Sequence, residues 1–276
     1  MRIDFTEPMY SSSISYGRLA ELQNKIIKAD EKCEINFDIK SRIGLTFIFY
    51  IATLPLFAEC NNKSISITCN AKILDLLYKC EFIKERITDT NYDVAPLLRD
   101  NTVLIETSDD VVQIVSKITK EAPVKMSEDL LAIFASKIGE MYNNAMEHSE
   151  SEYIIGAKYY KNQKNVYCFS CCDFGIGIPQ KVMHSYSEIT DSKKAFEWAM
   201  KPGNSTVNSG VPRGLGLGLL KNFAKANNGV IRMCSNDVYY EFKNGQDYIK
   251  QIDNTLSGTL FEMDIIADNE HKYILK

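Results

Sequence analysis

Asp173-Phe174-Gly175-Ile176-Gly177-Ile178-Pro179 runs on without a break from Val166-Tyr167-Cys168-Phe169-Ser170-Cys171-Cys172, and the join decides how the chain is read. The uncharged run predicts a strand that delivers Asp173 at its end. Glycine adopts backbone angles closed to other residues, so Gly175 and Gly177 predict a sharp turn whose backbone can approach a ligand closely. Alone, such a segment is only a strand and a turn with Pro179 behind it. What lies on either side changes its meaning.

Upstream, residues 126–149 read as the best helix in the chain. Glu128 and Asp129 follow Ser127, placing acids in the first turn, where the helix dipole favours them. Leu130, Phe134, Ile138, Met141 and Ala145 recur at spacings of four, four, three and four and form one buried stripe. Glu140 and Asn144 lie four apart on a face about 100° from that stripe, where a helix can border a cleft. A carboxylate beside a bound triphosphate can accept a proton from the attacking water or hydroxyl. A neutral amide oxygen can ligate Mg²⁺ while the ion keeps its waters and bridges phosphates. By itself, the segment is as well explained by polar residues on the wet side of a helix.

Downstream, Arg213-Gly214-Leu215-Gly216-Leu217-Gly218-Leu219 predicts a glycine turn opening a helix, continued by Leu220, Phe223 and Ala224 and capped by Asn228-Gly229. The N–H groups at such a start, with the helix dipole behind them, make a ready phosphate site. Strands are expected over 230–234 and 260–265, with Ser257-Gly258-Thr259 just before the second. Residues 184–211 are mostly polar, and Gly203, Gly210 and Pro212 suit a mobile loop. Lys201 and Arg213 could reach phosphate oxygens from this region or be solvated loop charges.

In this order the three segments resemble the nucleotide site of the GHKL superfamily, which includes DNA gyrase, the large heat-shock chaperones, histidine kinases and mismatch-repair ATPases. The resemblance covers roughly residues 100–266. It implies a Bergerat-type α/β sandwich, with a mixed sheet, helices on one face, and ATP held between helices and a lid over 184–211. It implies Mg²⁺ and ATP as ligands, with Glu140 as catalytic base and Asn144 as the Mg²⁺ ligand. His148 would lie near the phosphates, and Asp173 would accept from the exocyclic amino group of adenine. Gly175 and Gly177 would shape the adenine pocket, and the Thr259 hydroxyl would help bind the base. Arg213, Gly214, Gly216, Gly218 and Leu219 would serve the phosphates. The first letters of the 173–179 segment also match the protein-kinase DFG, but no glycine-rich loop, HRD or paired lysine motif accompanies it.

Histidine kinases usually carry Asn at the position of Glu140, and none of His148, His184 and His271 sits in a phosphoacceptor hairpin. Gly139-Glu140-Met141-Tyr142-Asn143-Asn144-Ala145-Met146-Glu147-His148-Ser149 is most similar to the anti-sigma-factor serine kinases. Three functions follow: an ATPase driving a conformational or signalling switch, a serine kinase acting on a STAS-like partner, and a non-catalytic ATP-sensing module. A regulatory protein partner is expected in each. Homodimers occur in the superfamily, although no heptads support one here.

A chain of 276 residues accommodates two domains, expected at 1–97 and 98–276 from the loop chemistry around residues 90–100. The net charge of −4 gives no basic field for nucleic acid. Eight cysteines behind a start without a secretory pattern suggest reduced thiols and a cytoplasmic protein. Cys168 and Cys171 form a CxxC, but without a second pair they read as buried small hydrophobes. Ile43 to Ala58 is uncharged, yet its 16 residues and Pro55 fall short of the about 20 apolar residues of a membrane span, so a buried helix is expected. Ahead of it, Leu19, Leu22, Ile26 and Ile27 predict one side of a helix over 16–28, and residues 34–39 alternate as a half-buried strand. Strands at 2–5, 34–39 and 64–68, separated by helices, predict parallel pairing in a small α/β domain. Their order resembles the STAS fold of anti-sigma-factor antagonists, and another small α/β fold satisfies the same pattern.

Overall fold

The computed structural model describes residues 1–82, 101–161, 165–204, 206 and 217–274. Its first six elements are β1 (Arg2–Phe5), α1 (Ser13–Lys28), β2 (Lys32–Phe37), α2 (Leu45–Cys60), β3 (Ser64–Cys69) and α3 (Ala71–Lys79). The three strands pair in parallel in the order β1-β2-β3, as their helical connections require. Ser12 and Asn70 cap α1 and α3 by accepting from Ser15 N and Ile73 N. On α1 the buried side runs through Leu19, Leu22, Gln23 and Ile26, while Ile27 is exposed. Ile27 lies about 100° around the helix from Ile26, so its place on the stripe goes to the polar Gln23.

Helix α2 is buried nearly all round, as a helix apolar on every side must be. No helix among the described residues is long and apolar enough to cross a membrane.

The second set comprises β4 (Thr102–Leu104), α4 (Ser108–Glu121), β5 (Val124–Met126), α5 (Glu128–His148), β6 (Ile154–Lys161), β7 (Val166–Asp173), α6 (Ile178–Ser185), α7 (Ser192–Ala199), α8 (Leu217–Asn227), β8 (Val230–Lys243), β9 (Gln246–Ile266) and β10 (Asp268–Tyr273). Thr107 and Asp110 form a capping box at α4, and Ser127 caps α5. The main sheet has the order β4-β6-β7-β9-β8, and every neighbouring pair is antiparallel. The expected mixed sheet is therefore corrected to an antiparallel one. Short connections account for β6–β7 and β8–β9, since a parallel pair needs a long crossover, while β4–β6 and β7–β9 are antiparallel across long connections that contain helices. Between β8 and β9, Asn244 and Gly245 have φ of 53° and 76°, the twist-matched hairpin turn. Among the described residues of this half, parallel pairing is confined to the separate pair β5 and β10.

One face of the five-stranded sheet packs on α4, α5, α7 and α8; Phe134 lies 6.3 Å from Phe169 and 5.0 Å from Phe223 between ring centres. The opposite face is covered by the N-terminal elements. Phe57 of α2 meets Phe174 edge-on at 5.4 Å, and Tyr16 of α1 lies 5.2 Å from Tyr239. Every residue of β7 is buried, which is why that strand reads as an unbroken run and not as an alternation. At this same interface Arg232 bonds Glu262 at 2.6 Å, Glu241 at 2.9 Å and Asp264 at 3.1 Å, and the Thr46 hydroxyl at the start of α2 donates to Glu262. The expected division at 97/98 lies outside the described residues.

Candidate functional site

Strand β7 carries Asp173 to the edge of the helical layer, and the turn after it cannot be built without glycine. A Cβ on Gly175 would lie 1.8 Å from the Ser149 carbonyl oxygen, which accepts from Ile176 N at 2.7 Å. The turn is thus seated against the C-terminal end of α5. Gly177 has φ of 80°, and its Cβ would meet the Asn236 amide at 2.5 Å. That amide donates to Ile176 O at 3.0 Å and accepts from Gln180 N at 3.1 Å, bolting the turn to β8. Ser235 accepts from Ile178 N at 2.8 Å and shares a 2.8 Å hydrogen bond with the Thr259 hydroxyl. Gly258, with φ of 81°, completes the set, because its Cβ would fall 2.1 Å from Asp173 O.

These contacts fix the Asp173 carboxyl. Its Oδ1 accepts from Gly175 N at 3.0 Å and from Thr259 N at 3.2 Å. Oδ2 takes no hydrogen bond among the described residues. The side chain is buried, and burial pushes its pKa up to about 7 against the two backbone donors, which pull it down.

Asp173 forms one wall of a cavity of about 120 Å³. Asn144 and His148 of α5 line it, as do Gly177, Thr259 and the apolar Met141, Met233 and Phe261. Lys181 of α6 and Trp198 of α7 close the remaining side. Lys181 Nζ also bonds Glu150 at 2.6 Å and holds that carboxyl below its ordinary range. An apolar slot with a few fixed polar groups is the usual build of a small-molecule site.

Of the residues singled out in the sequence, Asn144, His148, Asp173, Gly177 and Thr259 meet around this cavity. Gly175 stands behind it as a packing glycine. Glu140 is outside the lining: its Oε2 accepts from Lys137 Nζ at 2.7 Å, one turn before Asn144 on the same helix. Gly218 is exposed in the first turn of α8, with nothing among the described residues within 4 Å of a Cβ built on it, and Leu219 packs at the edge of the helical core. Arg213, Gly214 and Gly216 lie outside the described residues. Lys201 is exposed.

Sequence reasoning missed Lys181, Trp198, Ser235 and Asn236. The stretch read as a loop over 184–211 contains α7, capped by Asp191 through Lys194 N, with Ala195 and Phe196 buried and Trp198 lying 4.5 Å from Tyr186 between ring centres. The signal was present in Asp191, an N-cap residue directly ahead of an apolar-spaced segment. At the C-terminal end of α8, Asn228 takes the left-handed φ of 56°. Gly229 follows because its Cβ would lie 2.4 Å from Asp264 O. All eight cysteines are free thiols, and burial raises those of Cys171 and Cys172. Among the described residues no group of three or more His, Cys, Asp or Glu side chains could hold a metal.

No protein-family model matches this chain, and no curated protein is significantly similar to it.

Proposed function

We propose that the chain binds Mg-ATP in this cavity through a Bergerat-type nucleotide site of the GHKL kind. The observation that carries the reading is the buried Asp173 carboxyl: one oxygen is fixed by two backbone donors and the other is left for a ligand at the cavity wall. An adenine amino group is a donor of the right kind for it, and a buried acceptor matched by a ligand donor discriminates strongly against analogues lacking that donor. Asn144 and His148 lie along α5 on the same cavity, and Asn144 offers the neutral oxygen that would hold the nucleotide's Mg²⁺.

For the reaction, Glu140 lies one turn from Asn144. Lys137 occupies its Oε2, so Oε1 is the atom available to take a proton from an attacking hydroxyl. Water and a partner's serine hydroxyl ask for the same base. A conformational or signalling ATPase is the primary reading. Transfer to a STAS-like regulatory partner is the second, favoured by the sequence around Glu140 and Asn144.

The test is Mg-ATP binding and turnover by wild type, Asp173→Asn and Glu140→Ala. We expect Asp173→Asn to lose ATP binding and Glu140→Ala to bind ATP while losing turnover. Label from γ-labelled ATP will appear in solution for an ATPase and on protein for a kinase. Unchanged ATP affinity in Asp173→Asn sinks the proposal.

A further inference from the structure

We propose that Gln23, in the N-terminal unit, is a positioning residue of the nucleotide site; this rests on the nucleotide reading above. The β8–β9 ladder loses register around Asn236, where Ser235 pairs with Thr259 but Asn236 pairs with Leu256. Ser257 and Gly258 are thereby expelled from the ladder. A bulge of this kind leaves backbone donors and acceptors that must find other partners. Gln23 supplies both for Ser257. Its Oε1 accepts from Ser257 N at 2.7 Å, and its Nε2 donates to Ser257 O at 3.4 Å.

The residue doing this lies 234 positions away in sequence and is fully buried on α1. The next two residues build the site: Gly258 packs against the Asp173 backbone, and Thr259 N holds Asp173 Oδ1. The amide of Gln23 therefore sets the bulge, the bulge aims the Thr259 N–H, and that N–H orients the carboxyl. Gln23 itself is absent from the cavity wall. Its effect must be read through the group that Asp173 recognises, the exocyclic amino group of the base.

The experiment measures binding of ATP and of purine riboside triphosphate, which lacks that amino group, to full-length wild type, Gln23→Met, Gln23→Glu and Asp173→Asn. Gln23→Met keeps the volume and removes both hydrogen bonds. It should weaken ATP binding about tenfold, the factor expected for one misplaced hydrogen bond, and leave the purine analogue within about twofold, since that ligand lacks the donor the bond needs. Gln23→Glu retains the acceptor for Ser257 N and should show a smaller loss, again confined to ATP; it carries the test if Gln23→Met does not fold. Equal losses for both nucleotides would make Gln23 a purely structural residue and overturn the proposal. So would unchanged ATP binding in the Gln23 variants while Asp173→Asn loses it. If wild type binds neither nucleotide, or Asp173→Asn binds ATP normally, the nucleotide reading itself fails and this inference falls with it.

Discussion

On one face of the five-stranded sheet, Phe169, Phe261 and Met263 meet Phe134 and Phe223 of α5 and α8; on the other, Tyr159, Cys168 and Cys172 meet α1 and α2. The first face is apolar throughout its centre and opens at one end into the cavity beside Asp173. The second is closed by the N-terminal unit and carries a buried arginine among three carboxylates, with Thr46 of α2 donating to one of them. The difference separates two jobs. The proposed ligand site needs room and a fixed acceptor, and both are found where the helical layer ends. The opposite face needs no room, and its polar contacts tie a parallel α/β unit to one placement on the sheet. Both layers are then parts of one folding unit, and this is open to attack.

The largest expected effect is on stability. Phe57→Ala empties a site on the N-terminal side against Phe174, and Phe134→Ala empties one on the helical side. Each should cost about 3–5 kcal/mol, and each should shift one shared urea transition seen equally by circular dichroism and by fluorescence of Trp198, the sole tryptophan. Two transitions in Phe57→Ala, with Trp198 reporting only the later one, would break the comparison by showing that the N-terminal unit unfolds on its own.

A smaller effect sharpens it. The Asp173 carboxyl has a folded pKa of about 7 against an ordinary 3.8, so the folded state binds more protons than the unfolded one between those values. Stability from this group is present below pH 3.8 and is lost as pH rises through 7; at about 1.4 kcal/mol per pKa unit the loss is at most roughly 4 kcal/mol. Asn at this position keeps an oxygen for Gly175 N and Thr259 N and has no charge to bury. Asp173→Asn should therefore raise Tm at pH 8 and change it little at pH 3.5. A variant no more stable than wild type at pH 8 would show that the charge is already solvated from the cavity.

How much of this was legible depends on where the determining partner lies. Helix α5 was readable because its cap and buried stripe are local, and its observed bounds follow from Ser127 and the spacing from Leu130 to Ala145. The 173–179 turn was readable because Gly175 and Gly177 are forced by contacts no side chain could survive. Helix α2 announced its burial but not its partner, since that partner is a sheet assembled from residues 102–266. The long β8–β9 hairpin was seen only at its buried ends. Near its tip, Asp247 to Asp253 is mostly exposed and lacks the apolar alternation that marks a half-buried strand. The second half of β8 is buried at Val238, Tyr239, Tyr240 and Phe242 on both faces, without such alternation. Gln23 was hidden for a related reason: a polar side chain inside an apolar stripe signals a buried partner, and that partner is a bulge 234 residues away.

The smallest effect concerns the glycines, and it separates those beside the cavity from the one at the start of α8. Gly175, Gly177 and Gly258 are glycines because the protein's own atoms occupy the space a Cβ would take. Gly218 is not: it is exposed in α8 and meets nothing within 4 Å among the described residues. In a helix, alanine is favoured over glycine by about 0.5–1 kcal/mol, so Gly218→Ala should raise the urea midpoint. Where the described residues leave room for a Cβ, a ligand can approach, and the proposed nucleotide offers its phosphates. At the start of a helix, where the first N–H groups have no intrahelical acceptor and the dipole is positive, a phosphate is the natural candidate. Gly218→Ala should accordingly fold better and bind ATP less tightly, whereas alanine at Gly175 or Gly258 should damage folding first. If Gly218→Ala gains stability and binds ATP as wild type does, the phosphates lie elsewhere and Gly218 has no part in the site.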